Sequence, residues 1–165
     1  MTITLDDLFL LTLKDIYYAE RQLLKALPKM AKAAQNAQLK QAFTEHRQQT
    51  EGQVERLQRI FEIIGKRAQG KTCEAIQGLI QETEELLEEA SEPSPVRDAG
   101  LIACGGAVEH YEMARYGSLL AWAEVQGKDD VATLLRETLE EEKAAASMLH
   151  KMGSTTINAE ARAAA

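Results

Sequence analysis

Residues 5–31 read LDDLFLLTLKDIYYAERQLLKALPKMA. Their apolar side chains recur at Phe9, Leu13, Ile16, Leu23, Leu27 and Met30, in steps that place them on one face of a helix. One step is missing from that series, and Glu20 fills it. A carboxylate on a buried stripe is costly unless it is neutral, hydrogen-bonded or holding a cation. The stretch therefore predicts a long helix that must be covered on one side, and it points to the chemistry that covers it. Thr4, followed by Asp6 and Asp7, marks the start, because acidic side chains are favourable at the positive end of the helix dipole. The helix is expected from Leu5 to Ala34, with Pro28 bending rather than ending it, since the periodicity runs on to Met30.

Further stripes follow. After a polar connection over 36–38 come Leu39, Phe43, His46, Thr50, Gln53, Leu57, Ile60 and Ile64, with polar side chains in the middle, and Gly65 and Gly70 end that helix. Packed antiparallel to the first helix, at a rise of ~1.5 Å per residue, it brings Thr50 and Gln53 to the depth of Glu20. His46 lies one to two turns nearer the connection. Residues 73–89 form a separate amphipathic helix, and the only proline-rich break, over 91–95, follows it. The next helix carries Ile102, Gly105, Glu109, Glu112, Tyr116, Leu119 and Ala123 on one face and ends before Gly127.

The last helix starts at Asp129 or Asp130 and admits two frames. One selects Val131, Leu134, Thr138, Glu141, Ala145, Met148 and Met152; the other selects Leu135, Thr138, Glu142, Ala145 and Leu149. Periodicity does not choose between Glu141 and Glu142. Gly153 is expected to stop the helix and leave 154–165 as a flexible, alanine-rich tail. The reading is thus an all-α four-helix bundle of one domain, residues 1–153, with an additional helix in the long crossover.

Composition narrows the function classes. A chain of 165 residues with 45% hydrophobic side chains and three prolines suits one helical domain, and no strand-like alternation interrupts it. With 19 basic and 26 acidic side chains the net charge is -7, which opposes nucleic-acid binding because phosphates would be repelled. The longest uncharged run, 99–108, is too short and glycine-rich for a membrane span, and no signal-peptide pattern opens the chain. Cys73 and Cys104 imply no disulfide framework. A cytoplasmic protein without membrane or nucleic-acid partners is expected.

Glutamates agreeing in depth on three helices point to a metal held at mid-bundle by Glu20, Glu109, Glu112 and Glu141 or Glu142. His46, with Thr50 and Gln53, is either an auxiliary ligand or part of a hydrogen-bonded polar layer. The rival to a metal is Arg56 and Arg115, which lie near the carboxylate faces and could neutralise them. Tyr116 and Tyr17 adjoin the same faces, His110 lies off them, and His150 sits in a last turn where it meets the helix dipole. Gly105 and Gly106 point to close helix approach or to room beside Glu109.

The stretch already quoted, together with HRQQTEGQVERL, VRDAGLIACGGAVEHYEMARYGSL and LLRETLEEEKAAASML, resembles the YciE/YciF family of bacterial stress-associated proteins over nearly the whole chain. The resemblance implies a ferritin-like bundle of two antiparallel helix pairs, a homodimer and a di-metal site. The ferritin-like di-metal pattern takes one Glu from each of two helices and Glu-x-x-His from each of the other two. Here the second helix offers Thr50-x-x-Gln53 and the third Glu109-x-x-Glu112, and no histidine has a glutamate three residues before it. Such an oxygen-rich set suits Fe, Mn, Mg or Ca better than Cu or Zn. The expectation is one or two divalent ions, Fe or Mn, meeting peroxide or oxygen in a stress response, with oxidase- or peroxidase-type activity. The alternative is a metal-free or Mg-bound dimer that acts by binding another protein.

Overall fold

A computed structural model describes residues 2–164 and is built of helices. The first, α1, spans Leu5–Ala33 and continues through Pro28. Its start is a capping box: Thr4 accepts from the Asp7 amide, and Asp7 accepts from the Thr4 amide in return. The other long helices are α2 (Ala37–Ile63), α4 (Pro95–Val125) and α5 (Asp129–Met152), while α3 (Glu74–Glu89) lies in the crossover against α1 and α4.

Contacts at the bundle ends fix the topology. Asp98, at the start of α4, accepts the amides of Gln35 and Asn36 at 2.8 and 2.7 Å, just beyond the end of α1. Beside it the Arg97 guanidinium donates to the Ala33 and Ser91 carbonyls at 2.6 and 2.8 Å. At the opposite end Gln126 and Lys128, just past α4, both reach Asp6 at the start of α1. Helices α1 and α4 are therefore antiparallel. Each also forms an antiparallel hairpin, α1 with α2 and α4 with α5, so α2 and α4 point the same way. A chain that leaves α2 must travel the bundle's length before starting α4, and residues 64–94 make that crossing.

Both α2 and α4 end in the same way, with glycine in a left-handed conformation. Gly65 (φ 66°) donates to the Glu62 carbonyl and Lys66 to that of Phe61; Gly127 (φ 67°) donates to Glu124 and Lys128 to Ala123. These are Schellman closures, where a side chain larger than hydrogen would be strained. Gly105 has a different task. A Cβ there would meet Leu149 Cδ1 at 3.0 Å and the Phe43 ring at 3.2 Å, so close helix approach explains it, and not space beside Glu109.

The fold is the expected ferritin-like bundle, but its C-terminus is not. Gly153 keeps a helical backbone (φ -59°), a π-turn continues over Gly153–Ile157, and a short helix α6 follows at Asn158–Ala163. Ile157 is buried against the bundle and α6 packs on α4. Gly153 therefore does not terminate the helix, and a Cβ there would meet Ile102 at 3.4 Å, an ordinary contact. Among the described residues no helix is long and apolar enough to cross a membrane.

Because Ile157 is 1% exposed, Ile157→Ala is expected to lower stability by about 2–4 kcal/mol, as for other buried aliphatic truncations. Urea unfolding followed by circular dichroism measures it; a loss below about 0.5 kcal/mol, the range of surface substitutions, would mean that the segment does not belong to the core.

Candidate metal centre

His46 on α2, Glu109 and Glu112 on α4, and Glu142 on α5 each offer one ligand atom to a cluster whose atoms all lie within 4.8 Å of one another. All four side chains are buried, as is Glu20 from α1. Glu109 and Glu112 share a face because residues three apart on a helix do. The Tyr116 hydroxyl, one turn further along α4, donates to Glu20 Oε1 and leaves Glu20 Oε2 without a partner.

His46 is held from behind. Its backbone carbonyl accepts the Thr50 hydroxyl at 2.8 Å, and its Nδ1 lies 3.4 Å from Gln49 Oε1. That oxygen can only accept, so the contact favours the ring proton on Nδ1 and a lone pair on Nε2. Nε2 lies 3.1 Å from Glu109 Oε1 and 3.7 Å from Glu142 Oε2. Distance alone makes these ion pairs; neither has the direction of a hydrogen bond, and Nε2 counts among the buried atoms without one. Glu109 Oε2 and both carboxyl oxygens of Glu112 and Glu142 are in the same condition.

The carboxyls therefore hold protons far above the usual range. Burial, and then the Glu142 charge, push Glu20 up to about 8, while burial raises Glu109 to about 7. Glu112 and Glu142 are raised well above their ordinary value, by burial first and then by neighbouring carboxyls. Glu20 with Glu112, and Glu109 with Glu142, are close enough to share protons. Two carboxylates at one site cannot both ionise without a cation, so each pair titrates as a unit.

The arginine alternative fails on geometry. Arg56 grips Glu141 with two hydrogen bonds of 2.7 and 2.8 Å and reaches Glu137 at 2.7 Å, and Arg115 stands over the Tyr111 ring at 5.4 Å. Among the described residues the buried carboxyls pair with no lysine or arginine, and the one basic side chain beside them is His46. The same contacts decide the frame of α5. Glu142 faces the centre, whereas Glu141 sits at the boundary, where Arg56 and Gln53 hold it. Burial alone would raise Glu141, yet these partners keep it below the ordinary carboxylate value.

Other candidates fall outside the cluster. Gln53 is fully buried and donates to Glu141 Oε2 at 3.0 Å, with its own Oε1 unpartnered. The Tyr17 hydroxyl accepts from Gln58 at 3.2 Å and its ring meets Phe61 edge-on, which makes it a core residue. His110 is exposed and bonds the Gly106 carbonyl, and His150 is exposed in the last turn of α5. Glu137, which completes the Arg56 network, was not legible as a site residue. Its only signal was its place one turn before Glu141.

Four buried carboxyls and one imidazole, with lone pairs lacking donors, are the donor set of a hard or borderline divalent cation. The sequence model described as "Domain of unknown function (DUF892)" matches residues 4–162. The chain belongs to this family. Protein YciF of Escherichia coli is 43% identical over 159 residues, covering 96% of this chain and 95% of its own. The crystal structure of that E. coli stress protein superposes with a TM-score of 0.89 over 95% of this chain and 99% of its own. YcfI of Rhodopseudomonas palustris, described as a candidate structural protein, is 48% identical with a TM-score of 0.87, covering 90% of this chain and 94% of its own. A protein of Xanthomonas campestris at 20% identity, with a TM-score of 0.73 over 94% of this chain and 95% of its own, shares the fold.

Groups whose native pKa is raised stabilise the fold while protonated. That contribution is fully present below the unfolded carboxylate value and is lost as pH rises through about 7 and about 8 for Glu109 and Glu20. The metal-free protein is therefore expected to lose stability from about pH 5 to about pH 8.5, by roughly 1.4 kcal/mol per pH unit for each proton released. Chemical denaturation with chelator present, repeated across that range, measures the slope. A flat profile would mean that the buried carboxyls are ionised throughout and neutralised by another group.

Proposed function

We propose that this protein is a metal-binding member of its family. It holds one divalent ion, Fe or Mn, through His46, Glu109, Glu112 and Glu142, with Glu20 available to a second ion. The reading is carried by one observation: buried carboxyls with unpartnered oxygens surround one imidazole, and no lysine or arginine pairs with them among the described residues. Keeping such a group in a core without a cation is a standing cost, and a cation removes it.

Bound Fe or Mn would supply Lewis-acid and one-electron chemistry toward peroxide or oxygen, which suits the description of the E. coli relative as a stress protein. The chain's own residues do the rest. Tyr116 orients Glu20 through its hydroxyl, Gln49 orients the His46 ring, and the surrounding helices exclude bulk water. Glu20 and Glu112 are positioned to take up or release protons as charge at the centre changes, because they are close enough to share one.

A second reading has its own support. Leu8, Leu11 and Ile63 stay exposed, and a relative is described as a candidate structural protein. A metal-free or Mg-bound homodimer that works by binding another protein would use such a face.

Elemental analysis of protein purified without chelator, followed by anaerobic Fe(II) and Mn(II) titration, separates the two. Wild type is expected to bind saturably, and Glu112→Ala to lose more than about a hundredfold in affinity, since even outer partners of a metal ligand cost about 10–100-fold. Without metal the same variant is expected to be more stable than wild type at about pH 8, because an uncompensated buried carboxyl is gone. Equal binding by both proteins, or by neither, would sink the centre and leave the interaction reading.

A further inference from the structure

The centre is closed: its five side chains are between 0% and 4% exposed, so any ion must pass between helices. One polar line leads inward from the surface. Glu137 is exposed, Arg56 and Glu141 are at the boundary, Gln53 is fully buried, and Glu142, next along α5, faces the centre. The outer four of these side chains are bonded in sequence. Arg56 Nη2 donates to Glu137 at 2.7 Å, the guanidinium forks onto both oxygens of Glu141, and Gln53 Nε2 donates to Glu141 Oε2 at 3.0 Å. The inner end of the line is open chemically, since Gln53 Oε1 is buried with no donor to satisfy it.

Three features make this more than a fastening between α2 and α5. Two carboxylates around one guanidinium leave a net charge of about -1 at the mouth, which attracts cations. A guanidinium forked on a carboxylate occupies the place a divalent ion would take, and it is detachable because Glu137 and Glu141 remain partly exposed to water. Beyond it lies the unpartnered, buried Oε1 of Gln53, and Glu142, the neighbour of Glu141 on α5, belongs to the centre. Oxygens spaced along a path let an ion exchange its hydration one ligand at a time, which lowers the cost of leaving water.

Resting on the reading of the centre as a metal site, we propose that divalent cations reach it between α2 and α5, captured by Glu137 and Glu141 as they displace Arg56 and passed inward by Gln53 Oε1. Glu141 is thus a transit residue rather than a ligand of the centre. Arg56 is the stand-in cation that keeps the mouth shut when no ion is passing.

The test compares rates with affinities, using Mn(II) and following the free ion by its electron paramagnetic resonance signal during loading and during release to excess chelator. Glu137→Gln and Glu141→Gln are expected to slow loading by roughly tenfold, the lower range of electrostatic steering effects. Arg56→Gln is expected to speed both loading and release. Equilibrium affinity should stay within about threefold of wild type in all three, because none is a ligand of the centre. A thermal melt of each metal-free variant checks folding, and Glu137→Gln, at an exposed position, carries the test if the others do not fold. Saturable binding by wild type with unchanged loading rates in the variants, whatever their stability, overturns the path and leaves the centre standing. No saturable binding by wild type overturns both.

Discussion

Four carboxyl groups and one imidazole are enclosed among helices with no lysine or arginine, among the described residues, to balance them. In a medium of low dielectric that arrangement persists only by taking up protons or a cation. The raised values of Glu20, Glu109, Glu112 and Glu142 are the proton solution. A divalent ion is the other. Both would act on the same lone pairs, so on the metal-binding reading the centre couples pH, metal and stability through one set of atoms.

Holding such a group requires that the helices cannot slide or part to let water in. The ends of the bundle do that work. Asp98 and Arg97 tie α4 to the end of α1 and to the approach from α3, while Gln126 and Lys128 tie its far end to Asp6. Large apolar side chains, among them Phe9, Leu13, Phe61 and Leu119, are fully buried in the core. With both ends stapled and the rest packed, the cost of the polar middle is spread over the whole fold rather than borne by one weak layer.

The bundle was legible because helical periodicity depends on local spacing that every stripe repeats. The caps at Thr4, Gly65 and Gly127 added chemistry with a single meaning. Glu20, Glu109, Glu112 and His46 were legible as exceptions to those stripes. What periodicity could not supply was the frame of α5, where a rotation of one residue exchanges Glu141 for Glu142. Arg56 decides that from another helix, and a pairing 85 residues apart leaves no trace in local sequence. The C-terminus failed for a related reason. Glycine after an apolar stripe is compatible both with a stop and with a helical backbone that runs on, and the burial of Ile157 against the bundle, a tertiary contact, decides for the second.

The centre is also lopsided, and the asymmetry has a consequence. Its one imidazole comes from α2, with a ring nitrogen turned toward Glu109 and Glu142, whereas Glu20 on the far side is engaged by Tyr116. Where Glu-x-x-His would have put a second imidazole, α2 offers Thr50, spent on a backbone carbonyl, and Gln53, spent on Glu141. On the metal-binding reading, a first ion would meet the His46 nitrogen and carboxyls that release protons to receive it. A second would meet the unpartnered Oε2 of Glu20 while Tyr116 holds Oε1, in a site already charged by the first. Two ions at this centre would therefore be unequal by construction, with the nitrogen side filling first.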